Sequence, residues 1–207
     1  MDNPVSQLFD KWAQDYHADG MEIEHWPTVK QAIELLPPVQ GNYLEIGIGN
    51  GYAIQYFAET GFSNCKYYGL DISTEMVLKT ERALKHLDSV RLFHADFIEW
   101  QPPDPIQFDL IFSMEVFYYL SNIQVGLDKA ASLLNPGGIL MVLVNYYQEN
   151  PDSHDWPRDL DVPMQLWSMD EYKDGFMDAG LQHIRQIQLK HPDRKDEPGT
   201  LVTWAHK

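Results

Sequence analysis

From residue 41 onward, short apolar runs alternate with stretches whose apolar residues recur every three or four positions. Asn42 to Gly47 reads as a strand, and Gly51 to Glu59 as a helix that Gly61 stops. Lys66 to Asp71 is a second strand, after which Ser73 offers a side-chain oxygen to the first free amides of a helix reaching His86. Val90 to Ala95 and Phe108 to Ser113 follow as strands, separated by the proline-rich Gln101 to Pro105. Ile123, Leu127, Ala130 and Leu134 fall on one face of a helix. Asn135-Pro136-Gly137-Gly138 is expected to end that helix, because proline and paired glycines do not continue one cheaply. The unbroken run Ile139 to Val144 has the character of a strand covered on both faces.

Such alternation predicts a parallel sheet with helices on both sides, since each crossover must pass over one face. Ser168 and Glu171 form a capping-box pattern opening a helix that closes at Ala179-Gly180. Leu181 to Lys190 and Thr200 to His206 then read as strands joined only by a turn-rich segment with Pro192, Pro198 and Gly199. No helix fits between them, so the final strand is expected to be antiparallel. The chain divides into a helical N-terminal cap (1–40), a core (41–145), an insertion (146–167) and a closing helix and strand pair (168–207), all in one domain. At roughly 20 residues the insertion exceeds ordinary connections, a length typical of functional lids.

Charge narrows the class of partner. Among 207 residues, 15 Lys and Arg face 31 Asp and Glu, a formal charge of −16. The densest basic stretch, Lys190 to Lys195, is diluted by Asp193, so neither nucleic acid nor a membrane surface is expected as a partner. The longest apolar run is far too short to span a bilayer. Met1 to Ser6 has neither a basic start nor an apolar run, so no secretory signal and a cytoplasmic location are expected. Cys65 is the single cysteine, which excludes an internal disulfide, and no histidine–carboxylate spacing suggests a metal site.

Candidate chemistry concentrates where the first strand meets the first helix, at Glu45-Ile46-Gly47-Ile48-Gly49-Asn50-Gly51. Glycines there allow a tight turn and a ligand's close approach to the backbone. Asp71 ends the next strand, 20 residues after Gly51, where a carboxylate can accept from both ribose hydroxyls. A pyrophosphate fingerprint needs a small residue at position 52, and Tyr52 stands there. Glu45, a carboxylate within an expectedly buried strand, needs either an internal ion pair or a cationic ligand.

This loop resembles the nucleotide loop of class I S-adenosylmethionine-dependent methyltransferases of the small-molecule type. Asp71 matches that family's ribose-binding acid and Ile72 the residue packed on adenine. In His94-Ala95-Asp96-Phe97, Asp96 matches the acceptor for the adenine amino group and Phe97 the residue beside the ring. Phe108 to Ser113 resembles the strand ending beneath the methionine portion, while Leu134 to Gly138 and Asp178 to Leu181 fit later landmarks. Phe9 to Tyr16 resembles the segment closing over the cofactor, with Tyr16 near its methionine end. The matches cover residues 41–145 and 168–206. The resemblance implies an α/β, Rossmann-like, seven-stranded, mostly parallel sheet in order 3-2-1-4-5-7-6, its last strand antiparallel and helices on both faces. It also implies S-adenosyl-L-methionine as cofactor, held by Tyr16, Glu45, Gly47, Gly49, Gly51, Asp71, Ile72, Asp96, Phe97 and Ser113.

The acceptor side is less constrained. Tyr118, Tyr119, Tyr146 and Trp156 are candidate contacts for a small-molecule acceptor, with core packing as the alternative. His17, His25, His154 and Tyr118 are candidate proton acceptors. Glu115-Val116-Phe117-Tyr118 resembles a motif of protein-lysine methyltransferases on the same fold. The Asn/Asp-Pro-Pro-Tyr motif of nucleic-acid methyltransferases is absent, Ser113-Met114-Glu115-Val116 standing in its place. The leading reading is methyl transfer to an oxygen or nitrogen of a small molecule. Protein-lysine methylation, NAD(P)-dependent oxidoreduction and non-catalytic binding of adenosyl compounds remain open at this point, as do the acceptor, the methylated atom and the oligomeric state.

Overall fold

The computed structural model describes residues 3–15, 17–60, 65–194 and 196–207. The helix stop expected at Gly61 and the site role expected of Tyr16 lie outside the described residues. Seven strands form one sheet: β1 Asn42–Ile46, β2 Lys66–Asp71, β3 Val90–His94, β4 Phe108–Met114, β5 Leu134–Val144, β6 Gln182–Leu189 and β7 Thr200–His206. Their order is β3-β2-β1-β4-β5-β7-β6, and β7 runs antiparallel to both of its neighbours while β1 to β5 pair parallel. This is the fold class and strand order expected from the sequence.

Among the described residues seven α-helices accompany the sheet: α1 Pro4–Ala13, α2 His17–Ile33, α3 Tyr52–Glu59, α4 Thr74–Leu84, α5 Ile123–Leu133, α6 Trp156–Leu160 and α7 Met169–Asp178. The period-2 alternation of the strands splits the interior into two apolar layers. Tyr43, Leu110, Phe112, Met141 and Leu143 face α2, α3 and α4 on one side. Leu44, Ile46, Ile111, Leu140 and Val142 face α5 and α7 on the other. A bulge between Phe108 and Leu110 reverses the alternation at the start of β4, which is why Phe108 joins the second layer.

Residues 135–138 depart from the expected turn. β5 begins at Leu134, directly after α5, and carries Asn135 to Gly138 within it. The chain end provides the reason: the Gly137 amide donates to the Lys207 carbonyl and the Lys207 amide to that of Gly138, each at 2.9 Å. A neighbouring backbone therefore satisfies groups that a free turn would leave to water.

α1 is latched over the sheet's carboxyl ends. Ser6 Oγ donates to the Ile72 carbonyl at 2.9 Å, and Asp10 Oδ1 accepts from Ser73 Oγ at 2.7 Å and the Glu75 amide at 3.1 Å. Residues 146–167 fold back as a 3-10 turn at Pro151–Ser153 and the short α6. Their backbone is pinned by Gln165 N donating to the Tyr118 carbonyl at 2.8 Å. Among the described residues, no helix is long and apolar enough to cross a membrane.

At the opposite end, Asp109 ties three strands together. Its Oδ2 accepts from the Asn42 amide at 2.8 Å and its Oδ1 from Asn135 Nδ2 at 2.9 Å. Asp109→Ala strands both donors and is expected to lower the unfolding free energy by about 1–3 kcal/mol, read by urea titration. Unchanged stability would show that water serves these donors equally well.

Candidate active site

Beyond the carboxyl ends of β1, β2 and β4, where the strand order reverses direction, lies a cavity of about 560 Å³. In an open α/β sheet that reversal leaves a crevice, because the crossovers on either side diverge. The volume falls within the roughly 300–1,000 Å³ range of small-molecule sites. α1 and α2 roof one part with Phe9, Trp12, Met21 and His25, and the insertion borders the other with Trp156 and Leu160.

The glycine loop forms the floor. Gly47 has φ +75°, and a Cβ there would stand 2.2 Å from Val116 Cγ2, so no other residue fits without moving the β4 exit. Gly49 has open space beside it, which keeps the backbone accessible from the cavity. Gly51 plays a packing part: a Cβ would meet Thr80 Cγ2 of α4 at 2.6 Å, and the residue does not line the cavity.

Carboxylates surround this floor, and among the described residues no Lys or Arg hydrogen-bonds to Glu45, Asp71 or Glu115. Glu45 is 3% exposed and accepts from the Tyr43 hydroxyl at 2.9 Å. Burial, against the Tyr43 hydrogen bond and with the nearby Asp71 charge, pushes its carboxyl up to about 8. Asp71 Oδ2 accepts from the Gly49 amide at 3.0 Å and Oδ1 from the Ser73 amide at 2.9 Å, yet burial still raises its carboxyl to about 6. At the end of β4, Glu115 accepts from the Tyr118 hydroxyl at 2.9 Å and from the Asn145 amide, and burial again raises it to about 8. No Lys or Arg lines the cavity among the described residues. Such a pocket repels anions and gains from any cation that enters.

The sequence-derived residues divide clearly. Glu45, Gly47, Gly49, Asp71, Ile72, Asp96 and Phe97 all line the cavity, as do Tyr118, Tyr119 and Trp156. Tyr146 stands behind them, buried, its ring 5.4 Å from that of Tyr118 and 6.3 Å from that of Trp156. Besides Gly51 and Tyr146, three residues expected in the site stand away from the cavity. Ser113 is turned into the sheet, where its Oγ donates to the Ile46 carbonyl at 3.1 Å. His17 stacks on Trp12 and pairs with Asp15 in solvent, and His154 sits against the Gln148 carbonyl; neither lines the cavity. The cavity's imidazole is His25, which burial keeps neutral by lowering it to about 4.

Some contributors carried no sequence signal. Lys129 donates from Nζ to the carbonyls of Ile98 and Trp100 and sits 5.4 Å from the Phe97 ring centroid, fixing the loop that bears Asp96 and Phe97. On the helix pattern of α5 it reads as a solvated lysine. Asp10, the α1 latch, falls within the Phe9 to Tyr16 segment, but no local pattern points its carboxylate at Ser73.

Comparison with known proteins agrees with this geometry. A family described as "Methyltransferase domain" matches residues 44–140. A chain of the Haloferax volcanii complex between the Trm112 methyltransferase activator and a methyltransferase is 33% identical, with 96% of each chain covered and a TM-score of 0.86. The chain belongs to the class I S-adenosylmethionine-dependent methyltransferases. The N-methyltransferase NodS of Bradyrhizobium japonicum WM9, solved with S-adenosylhomocysteine, shares the methyltransferase fold at 17% identity, with 100% of this chain and 99% of that chain covered and a TM-score of 0.72. Among curated relatives, the trans-aconitate 2-methyltransferase of Azoarcus sp. (strain BH72) is 24% identical over 180 residues, 78% of this chain and 65% of its own length. The (S)-coclaurine N-methyltransferase of Papaver somniferum is 28% identical over 121 residues, 55% of this chain and 34% of its own. The chain thus spans less than two thirds of either of these two curated relatives.

The raised carboxyls have a measurable consequence for this methyltransferase. With its pKa lifted from 4.5 to about 8, Glu45 holds more protons folded than unfolded across that window. Its contribution to stability is therefore complete below the unfolded value and lost as pH rises through the folded one. Melting temperatures of the ligand-free protein are expected to fall between about pH 5 and 8, and Glu45→Gln to flatten that fall. A wild-type slope in the variant would exclude a raised Glu45.

Proposed function

We propose that this methyltransferase binds S-adenosyl-L-methionine in the 560 Å³ cavity and directs its methyl group to an oxygen or nitrogen of a small-molecule acceptor. The observation carrying this reading is a deep pocket with three upward-shifted carboxylates and no lining Lys or Arg among the described residues. S-adenosylmethionine fits such a lining, because its ammonium and sulfonium are cations and its ribose presents two hydroxyl donors. When bound, it supplies a methyl group already activated for transfer.

The chain's own residues bind and orient. Asp71, with lone pairs beyond those taken by the Gly49 and Ser73 amides, accepts from the ribose hydroxyls. Glu45 holds the ammonium, Ile72 and Phe97 pack on the adenine, and Asp96 accepts from its amino group. Asp96 Oδ1 also accepts from the Ile98 amide at 2.8 Å, which fixes the carboxylate within its turn. Tyr118, Tyr119 and Trp156 border the acceptor, backed by Tyr146. Alignment of the reacting atoms is the protein's main contribution, and placement of this kind supplies about 7–11 kcal/mol of barrier reduction. For a hydroxyl acceptor, His25 is the candidate proton acceptor that lines the cavity, a weak one because burial lowers its pKa to about 4. Residues 146–167 act as the cover of the acceptor end.

Calorimetry with S-adenosylmethionine and S-adenosylhomocysteine tests the binding half, with and without a Trm112-type activator because the Haloferax chain comes from such a complex. Asp71→Ala is expected to weaken both ligands by about 1.5–3 kcal/mol, and unchanged affinity in the folded variant removes Asp71 from the site. Hydrogen exchange across 146–167 is expected to slow when both substrates are present; identical fast exchange in every state removes the cover role.

A further inference from the structure

The cofactor reading leaves two cavity carboxylates unused: Asp159, which is exposed at the rim and taken by Arg158, and Glu115, which has no such partner among the described residues. Its setting is unusual on several independent counts. It adopts φ +59°, a left-handed conformation that side-chain-bearing residues rarely take and that persists where surrounding structure enforces it. Among the described residues only neutral donors meet its oxygens: the Tyr118 hydroxyl on Oε2 and the Asn145 amide on Oε1. These leave lone pairs free, since an ionised carboxylate has about four acceptor sites. The residue keeps partial exposure, and that exposure opens into the cavity.

Aromatic rings stand around the same end. Tyr118 lies 4.4 Å from Tyr119 and 6.5 Å from Trp156, centroid to centroid, and Phe9 of α1 packs edge-on against Tyr119 at 5.4 Å. Ring faces attract cations through their quadrupoles, and do so most strongly away from water. Arg158, on α6 at the rim, does not line the cavity; its guanidinium donates to Asp159 and pairs with Asp155, with 71% of the side chain exposed. An acceptor carrying a carboxylate or phosphate would meet Glu115 and tyrosines with no lining lysine or arginine among the described residues to offset its charge.

We infer that the acceptor is a small primary or secondary amine, admitted as an ammonium ion between Glu115 and the Tyr118–Tyr119–Trp156 rings. The inference rests on the methyl-transfer reading and names the substrate class of that same site. Glu115, as carboxylate, takes one N–H proton from the ammonium and so frees the nitrogen lone pair. That lone pair forms the N–C bond to the methyl carbon as the C–S bond breaks, its electron pair going to sulfur. The products are a methylated ammonium and a neutral thioether, and Glu115 returns its proton to water when the amine leaves. The positive charge lost by sulfur is thereby carried off on nitrogen.

Three probes on one carbon skeleton test this: phenethylamine, 2-phenylethanol and 3-phenylpropanoate, each titrated calorimetrically into the protein saturated with S-adenosylhomocysteine. The amine is expected to bind at least about tenfold tighter than the alcohol, a difference of ~1.4 kcal/mol, and the carboxylate not at all. Glu115→Gln is expected to bring amine and alcohol within about twofold while S-adenosylhomocysteine affinity stays at the wild-type value. Labelled methyl transfer should then appear on amines and not on alcohols of a matched set. Equal or tighter binding of the alcohol or carboxylate by wild type, absence of amine binding, or a preference retained in Glu115→Gln overturns the amine assignment alone. Failure of S-adenosylhomocysteine to bind wild type overturns both this and the methyl-transfer reading. The wild-type arm decides the question even where the variant does not fold.

Discussion

Uncompensated negative charge at the ends of three adjacent strands governs this molecule. β1, β2 and β4 deliver Glu45, Asp71 and Glu115 to one crevice, and among the described residues none of the three accepts a hydrogen bond from a basic side chain. Desolvation penalises their ionised forms, raising Asp71 to about 6 and Glu45 and Glu115 to about 8, so the two glutamates favour protons near neutral pH. A folded chain retains such an arrangement only where something else in the site's cycle favours the charge. A cationic ligand does so directly, and its binding is then coupled to proton release.

The fold supplies the crevice cheaply. Parallel strands send their crossovers to opposite faces on either side of the β1–β4 boundary, which leaves an opening with backbone amides and no side chains in the way. Gly47 lets Val116 approach, and Gly51 lets α4 close in, so the loop is held from two directions. Lys129 braces the Asp96–Phe97 loop from below, and Asp10 and Ser6 fasten α1 above. These contacts fix the roof and one wall around a floor already fixed by the sheet. The remaining border, Trp156 and its neighbours, belongs to the insertion between β5 and α7.

The parallel sheet and antiparallel last strand expected from alternation and helix stops match the structure, because those are local properties, and the strand order matches what the family resemblance implied. So did the cavity-facing placement of Glu45, Gly47, Gly49, Asp71, Ile72, Asp96 and Phe97, because strand ends in a parallel sheet share one side. The misses share a cause. Ser113 was placed in the site for being at a strand end, but one residue of alternation turns its hydroxyl to the Ile46 carbonyl. His17 and His154 carry the right chemistry on segments whose rotation no local pattern fixes. The Asn135 to Gly138 run became strand because of the chain terminus beside it, a partner nearly seventy residues away.

By itself, the amino-acid order determined the sheet, the glycine floor and the acids beside it, since each depends on spacing along a few consecutive residues. Tertiary structure alone decided that Glu115 lacks a cationic partner among the described residues, that Lys129 buttresses the Asp96–Phe97 loop and that His25 is the histidine lining the cavity. Those facts are sums over neighbours from distant segments, and the electrostatic state of a side chain depends on what surrounds it in space.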